Sequence, residues 1–477
     1  MRWQWRRLTL PQVLVLVGIV ATLCQSGSSG APQNSQPNVL FIAVDDLNDW
    51  IGSLGGNADV HTPNLDRLAR RGVLFTNAFC AAPACNPSRV SLLTGIRPST
   101  SGVYNNGQPW RSAMPEAETI PQYFMAHGYR ALGGGKIFHG RFPDPSSWDE
   151  YFPSKTQTRP DDPLPPERPI NGIPNTAHFD WGPLGVADEE MGDWKVTSWA
   201  IRQLQREHDK PFFMAVGIFR PHLPWYVPEK YFKDYPSDRI ALPQVKKNDL
   251  EDVPEIGVRM ANPTKDHKNV VEHNQWRKAV SAYLASITFA DAAVGRLIDA
   301  LYQSPHAQNT VVVLWSDHGW HLGEKQHWRK FALWEEATRS VFMIVAPGVT
   351  QPDQRSQRTV SLIDIYPTLI ELCGLRPKAE LEGRSLLPLL RDPAAEWDRP
   401  VLTTHGRNNH AVRSERWRYI RYSDGKEELY DRDSDPLEWT NVAGKSEFAE
   451  IKRKLSRWLP QTNAADVPRA PPSPGIY

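Results

Sequence analysis

The residues in this chain with the capacity for chemistry fall into a few short stretches. The sharpest is Cys85-Asn86-Pro87-Ser88-Arg89. Pro87 suits the first turn of a helix, where its missing N–H is an orphan anyway, and Gly95 supplies a stop, so a helix is expected to run to about Thr94. A cysteine at the start of that helix feels the positive end of the dipole, as does any anion bound beside it, and Arg89 adds a cation one turn further on. The plain reading is a half-buried cysteine at a turn; the chemical reading is an anion-handling nucleophile. Four fixed letters, Cys-x-Pro-Ser-Arg, arise by chance on the order of a few times per thousand chains of this length.

Acidic pairs mark two other places. Asp45-Asp46 follow the apolar run Asn38 to Val44, and Asp317-His318 follow Thr310 to Trp315. Carboxyl ends of strands are where open α/β sheets bind ligands. Adjacent carboxylates repel unless a cation sits between them; oxygen donors point to Ca²⁺ or Mg²⁺, and His318 keeps Zn²⁺ open. The competing reading makes Asp45-Asp46 a cap for the segment that follows. Lys136, His139, His222 and Lys330 are the remaining cationic or proton-carrying candidates, each following a strand or a glycine turn on the same expected edge. Gly133, Gly134 and Gly135 let the backbone approach something closely, and Lys136 and His139 share a direction if their segment turns helically.

The elements that must position these groups alternate. After the first strand comes a helix with Thr62 as N-cap, Pro63 in its first turn and Gly72 as its stop; then the strand Val73 to Phe79 and the cysteine helix. A helix near Pro121 to His127, a strand Tyr129 to Leu132, a helix Trp194 to Glu207 and a strand Phe212 to Phe219 continue the order. The best helical periodicity spans about Val280 to Leu301, and Val341 to Ala346 is the next strand. The pattern predicts an α/β fold, a large doubly wound mixed or parallel sheet flanked by helices. Pro153 to Pro174, dense in proline and charge, reads as an excursion over the site. Beyond about Asp392 the short strands Val401 to His405, His410 to Arg413, Arg418 to Tyr422 and Glu428 to Tyr430 predict a smaller antiparallel sheet, followed by a helix from about Ser446 to Leu459 and a loose tail from Pro468. The expected division is 1–30 signal peptide, 37–392 catalytic domain and 393–477 small C-terminal subdomain.

Composition narrows the class. A chain of 477 residues exceeds one comfortable core, and a net charge of +1 without basic tracts argues against nucleic-acid binding. The 18 Trp serve either packing or sugar stacking. Arg2, Arg6 and Arg7 ahead of the run Leu8 to Leu23, broken by Pro11, have the zones of a secretory signal peptide, too short for a stable membrane span. Export to the periplasm or the exterior is the expectation, with lipid attachment at Cys24 the alternative. Without the signal, Cys80, Cys85 and Cys373 are too few for a disulfide framework, and Cys373 reads as core.

From Asn38 to about Thr440 the chain resembles the type I sulfatases of the alkaline-phosphatase-like superfamily, in the iduronate-2-sulfatase-like branch. The resemblance rests on Val44-Asp45-Asp46-Leu47, Cys85 to Arg89, Gly135-Lys136-Ile137-Phe138-His139, Arg220-Pro221-His222 and Asp317 to Glu324 with Lys330 trailing. Leu429-Tyr430-Asp431 and Asp435-Pro436-Leu437-Glu438 extend it to the C-terminal part. It implies that Cys85 is oxidised to formylglycine by a maturation enzyme. It also implies that Asp45, Asp46, Cys85, Asp317 and His318 hold one Ca²⁺, and that Arg89, Lys136, His139, His222 and Lys330 surround the sulfate. Many family members carry Asn after the third aspartate; His318 departs from that majority and favours the iduronate-like branch. His321 receives no role. The implied reaction is hydrolysis of sulfate esters on a sulfated oligosaccharide or polysaccharide, with 2-O-sulfate on a uronic acid of a glycosaminoglycan-like chain as the expected substrate and Arg329 the nearest cation for its carboxylate. The rivals are a phosphonate or phosphate ester hydrolase of the same superfamily, and a non-catalytic binder of sulfated glycans whose Cys85 stays unmodified.

Overall fold

All seven residues of Asn38–Val44 (β1) are buried. Leu40, Ile42 and Val44 enter one hydrophobic core and Val39, Phe41 and Ala43 another. Side chains alternate along a strand, so a continuous apolar run is what a strand covered on both faces requires. The structure is a computed structural model that describes residues 1, 36–176 and 178–471; most of the expected signal peptide, with Cys24, lies outside the described residues. Gln36–Tyr477 form one compact unit.

The other strands of the large sheet are Val73–Phe79 (β2), Arg130–Gly135 (β3), Glu150–Phe152 (β4), Phe212–Ile218 (β5), Thr310–Ser316 (β6), Phe342–Val345 (β7) and Gln354–Ser361 (β8). Among the described residues they lie in the order β8-β2-β7-β6-β1-β5-β3-β4. β7 runs antiparallel to β2 and β6, and every other adjacent pair is parallel. The central register is flush. Val44 pairs with both Ser316 and Ile218, and Gly135 pairs with Gly217. The residues that leave β6, β1, β5 and β3 therefore emerge side by side on one edge.

One face of the sheet is covered by Pro63–Ala69 (α1), Gly192–Leu204 (α3) and Trp276–Gln303 (α4), the other by Cys85–Thr94 (α2) and Ile365–Leu372 (α5). α4 begins at Trp276, a turn earlier than its apolar period suggests. The N-terminus of α1 is capped by an unexpected group. The Thr62 hydroxyl accepts from the Gly52 N–H at 2.8 Å, while Asp291 of α4 accepts from the N–H groups of Asn64 (3.1 Å) and Leu65 (2.8 Å). The orphan donors of a helix start can be met from across a core as well as locally. The glycines Gly133 to Gly135 belong to β3 rather than following it. A Cβ on Gly133 would stand 2.5 Å from the Tyr151 ring and one on Gly134 3.0 Å from Trp199. They make room for rings on both faces of the sheet.

Val401–Thr404, His410–Arg413, Trp417–Arg421 and Glu427–Asp431 form the small antiparallel sheet. Leu402, Val412, Tyr419 and Leu429 pack under the helix Ala449–Ser456; Ala411, Ile420 and Tyr430 pack on Leu333 and Trp334. The described part of the tail, through residue 471, is pinned where looseness was expected. The Val467 and Ala470 N–H groups donate to the carbonyls of Gly102 (3.0 Å) and Gly107 (2.9 Å), and Arg141 donates to the carbonyl of Ala470 at 3.0 Å.

Candidate active site

The flush edge gathers the expected residues into one buried cluster. β1 delivers Asp45 and Asp46, β6 Asp317 and His318, β3 Lys136, and the segment after β5 His222. Cys85 is the first residue of α2, with Ala84 as N-cap and Gly95 closing the helix in the left-handed region at φ 74°. Lys330 arrives from the loop behind Trp328–Arg329. Its Nζ lies 2.6 Å from Asp46 Oδ1 and 3.1 Å from Cys85 Sγ, with Lys136 Nζ 3.7 Å from the same sulfur. Lys136 also pairs with Asp45 Oδ2.

Arg89 sits beneath these groups, fully buried. Its Nε donates to Asp317 Oδ2 at 2.9 Å, one terminal nitrogen donates to Asp45 Oδ1 at 2.8 Å, and the other to the Ile137 carbonyl at 3.0 Å. All three nitrogens are committed, so Arg89 holds the carboxylates apart instead of facing the opening. His139, His222 and Lys330 do face it, lining a cavity of about 260 Å³. Lys136 and His139 line an adjoining cavity of about 960 Å³ whose wall is formed by residues between Thr156 and Thr176. The excursion is thus placed over the site. Asp162 anchors it, accepting from Arg220 at 3.0 Å and from the Gly192 N–H at 2.8 Å.

Several contributors carry no sequence signal. Asp46 takes φ 60°, a region that costs a non-glycine residue roughly 1–3 kcal/mol and persists only when neighbours over-determine it. Here its N–H donates to Asp317 Oδ1 at 3.1 Å and its carbonyl accepts from the Tyr283 hydroxyl at 2.7 Å. Tyr283 lies on the apolar face of α4, where its hydroxyl could not be told from packing. Asn106 accepts from the Asn86 N–H at 2.9 Å and so braces the residue beside the cysteine. Arg329 lines the small cavity but is paired with Asp266 at 2.5 Å and lies over the Phe179 ring at 4.6 Å. His321 is buried away from the cavity, between His327 and Trp334.

Three protein cations face the three carboxylates, yet two buried lone pairs of the cluster stay unserved among the described residues. Burial would raise the Asp45 carboxyl, but Lys136 and Arg89 hold it well below the ordinary range. Burial, with Asp45 and Asp317 adding, pushes Asp46 up to about 7 in spite of Lys330. Asp46 Oδ2 and His318 Nε2 are buried with no hydrogen-bond partner among the described residues. His318 Nδ1 donates to the Gly319 carbonyl at 3.0 Å, so Nε2 presents its lone pair 3.4 Å from both Asp46 Oδ1 and Asp317 Oδ2. Lone pairs facing one another in a dry site are a metal-ligand arrangement, with the second ring nitrogen fixing the tautomer. The donor set fits a divalent cation. Cys85 itself is a poor nucleophile as a thiol: burial pushes it up to about 12 in spite of the two lysines.

A sequence model of the sulfatase family matches residues 37–375. The chain is a member of the sulfatase family. A second model, the C-terminal part of N-sulphoglucosamine sulphohydrolase, matches residues 323–465. A sulfatase from Formosa agariphila is 38% identical across 94% of this sulfatase and 92% of its own length. Mouse iduronate 2-sulfatase is 33% identical across 78% and 74%. Among solved structures, a 2-O glycosaminoglycan sulfatase superposes with a TM-score of 0.68 at 22% identity, covering 88% of this chain and 90% of that one. A phosphonate monoester hydrolase from Silicibacter pomeroyi does so with 0.74 at 22%, covering 88% and 94%. At such identities the structural likeness speaks for the alkaline-phosphatase-like fold. The family's activity is hydrolysis of sulfate esters. No helix among the described residues is long and apolar enough to cross a membrane.

Proposed function

We propose that this sulfatase removes 2-O-sulfate from a uronic acid in a glycosaminoglycan-like chain, using formylglycine at position 85 and a bound Ca²⁺. The observation that carries the chemistry is the cluster at Cys85: three buried aspartates, a histidine lone pair and two lysines converge on a thiol too basic to attack. The likeness to iduronate 2-sulfatase supports the uronate. Asp45, Asp46, Asp317 and His318 would hold the cation, which when bound supplies positive charge for the sulfuryl oxygens and the attacking group; carboxylate oxygens favour a hard ion. Formylglycine, once made by a maturation enzyme, supplies a hydrated aldehyde with one hydroxyl to attack sulfur and a second to expel sulfate.

The chain's own residues do the rest. Lys136 and Lys330 flank position 85 and neutralise sulfuryl charge. Burial opposes a charged Lys330, yet Asp46 and then the Cys85 sulfur hold its pKa above the ordinary value, so it stays cationic and steadies the charge that develops on the leaving oxygen. His222 donates from Nδ1 to the Leu223 carbonyl, and burial and then Lys136 keep it neutral, so Nε2, on the cavity wall, can carry a proton from the opening to the leaving oxygen. His139, pushed down to about 3 chiefly by burial and faced by the opening, is the base for the second half-reaction. We read the segment ahead of the catalytic unit as an export signal. Mass spectrometry of the peptide around position 85, with rates on sulfate and phosphate esters of one phenol, tests the reading. Unmodified cysteine in protein matured in its native host, or faster phosphate-ester turnover, would refute it.

A further inference from the structure

The small cavity over His222 and Lys330 does not stand alone. It shares His139, His178 and Leu223 with the cavity of about 960 Å³, and a different part of its wall, Arg329 and Phe331, with a third of about 550 Å³. The scissile position thus lies between two larger spaces. Their walls are biased in charge. The third cavity is lined by Arg259, Lys265 and Arg329 against Asp266, and the 960 Å³ cavity by Lys136, Arg159 and Arg168 against Asp161. The chain as a whole has 55 basic and 54 acidic residues, so this excess is local. Some of these cations are committed, Arg159 to Asp162 at 3.2 Å and Arg259 to Glu255 at 2.6 Å. Lys265 and Arg168 are exposed and have no carboxylate partner among the described residues. One stands on each flank.

We propose that the three spaces form one groove that holds an anionic glycan on both sides of the scissile sulfate, so that sulfate is removed from internal residues of a chain as well as from a terminus. The inference rests on the reading of the substrate as a sulfated glycan. A single sulfated sugar needs only the groups around position 85. Cations in two separate adjoining spaces are placed to meet the sulfates and carboxylates of its neighbours, and each added contact acts at high effective concentration once the central residue is bound.

Size-defined heparin fragments of two, four and six sugars test this, with released sulfate measured by ion chromatography and its position of origin by mass spectrometry. An aryl sulfate assayed in parallel reports hydrolysis itself. The expected result is a kcat/KM about tenfold higher for six sugars than for two, equivalent to about 1.4 kcal/mol of extra binding in the transition state. Sulfate should be lost from interior residues, and salt should weaken the advantage of the longest fragment. Lys265→Ala and Arg168→Ala should each lower the six-to-two ratio by about threefold or more. Equal kcat/KM at all lengths, loss confined to the terminal residue, or no release from any fragment while the aryl sulfate is turned over would overturn the groove and leave the sulfatase chemistry standing. Failure on the aryl sulfate as well, with position 85 modified, overturns both.

Discussion

The carboxylates around Cys85 and those at Glu335 are equally buried, yet their oxygens are served differently. At the contact between the large and small sheets, Glu335 accepts from Arg413 Nε at 3.0 Å and also from Arg418, and its other oxygen faces Arg413 at 3.4 Å and Arg432 at 3.3 Å. Glu438 accepts from Arg418 Nε at 2.6 Å and from the Glu335 N–H at 3.0 Å. Every oxygen of that pair has a donor supplied by the protein. At the candidate active site Asp46 Oδ2 and His318 Nε2 have none among the described residues. Burying a charge costs several kcal/mol unless partners compensate it. A cluster that completes itself holds two sheets together; one left incomplete by a cation's worth of ligands is built to be completed by something that binds.

The most severe break is at the proposed nucleophile. Cys85→Ala should fold and keep its metal site while losing at least about a thousandfold in turnover, as removal of a covalent nucleophile does elsewhere. Cys85→Ser should attack but not eliminate, leaving a sulfate ester on the protein detectable by mass. Multiple turnover at the parent rate in either variant would end the mechanism.

Next in size is the cation. Asp317→Asn removes a proposed charged ligand and disturbs Arg89, and should weaken Ca²⁺ binding about 10–100-fold, read by isothermal titration. The chelated parent should lose activity and regain it with Ca²⁺. A second, zinc-filled site found by elemental analysis would point to phosphatase-like chemistry instead.

The self-sufficient cluster should respond in stability and not in metal affinity. Glu335→Gln leaves Arg413, Arg418 and Arg432 without their shared anion and should cost about 3–5 kcal/mol in urea unfolding. An unchanged Ca²⁺ affinity in the same protein would sharpen the contrast; a large loss of affinity would show the two clusters to be coupled. Arg416, two residues before Arg418 and just ahead of its strand, is the exposed control: its pair with Asp431 faces solvent, and Arg416→Ala should leave the Tm where it was.

pH separates the clusters more gently. Glu335 is held well below its ordinary range by Arg413, Arg432 and Arg418 against the effect of burial, so its contribution is present above about 4.5 and fades as pH falls through the depressed value. Asp46 behaves oppositely. Its pKa rises on folding from 3.8 to about 7, the folded chain binds the proton more tightly than the open one, and stability falls as pH climbs through that window. Chelated protein should therefore be less stable at pH 8 than at pH 5, and saturating Ca²⁺ should shrink or reverse the difference. Identical pH profiles with and without Ca²⁺ would mean that Asp46 is not a ligand.

The sequence by itself determined the strands that are buried on both faces and the chemistry at their ends. Asn38–Val44, Phe212–Ile218 and Thr310–Ser316 are buried along their whole length and mostly apolar, and the polar pairs directly after the first and last of them, Asp45-Asp46 and Asp317-His318, are the ones that reach the edge. What it could not determine was anything set by partners distant in the chain. Gln354–Ser361 is a polar edge strand without a strand-like pattern, and Phe342–Val345 has no local signature for running antiparallel. Thr62 carries the side chain of an N-cap, yet Asp291 does the capping. Arg89 reads as a cation for sulfate, and only the packed structure commits its three nitrogens to Asp45, Asp317 and a backbone carbonyl. Hydrophobic period and turn chemistry are local properties of a chain. Which hydroxyl meets Asp46, which oxygen is left without a donor and what lies on either side of the pocket are properties of the folded whole, because they depend on residues that only tertiary packing brings within hydrogen-bond reach.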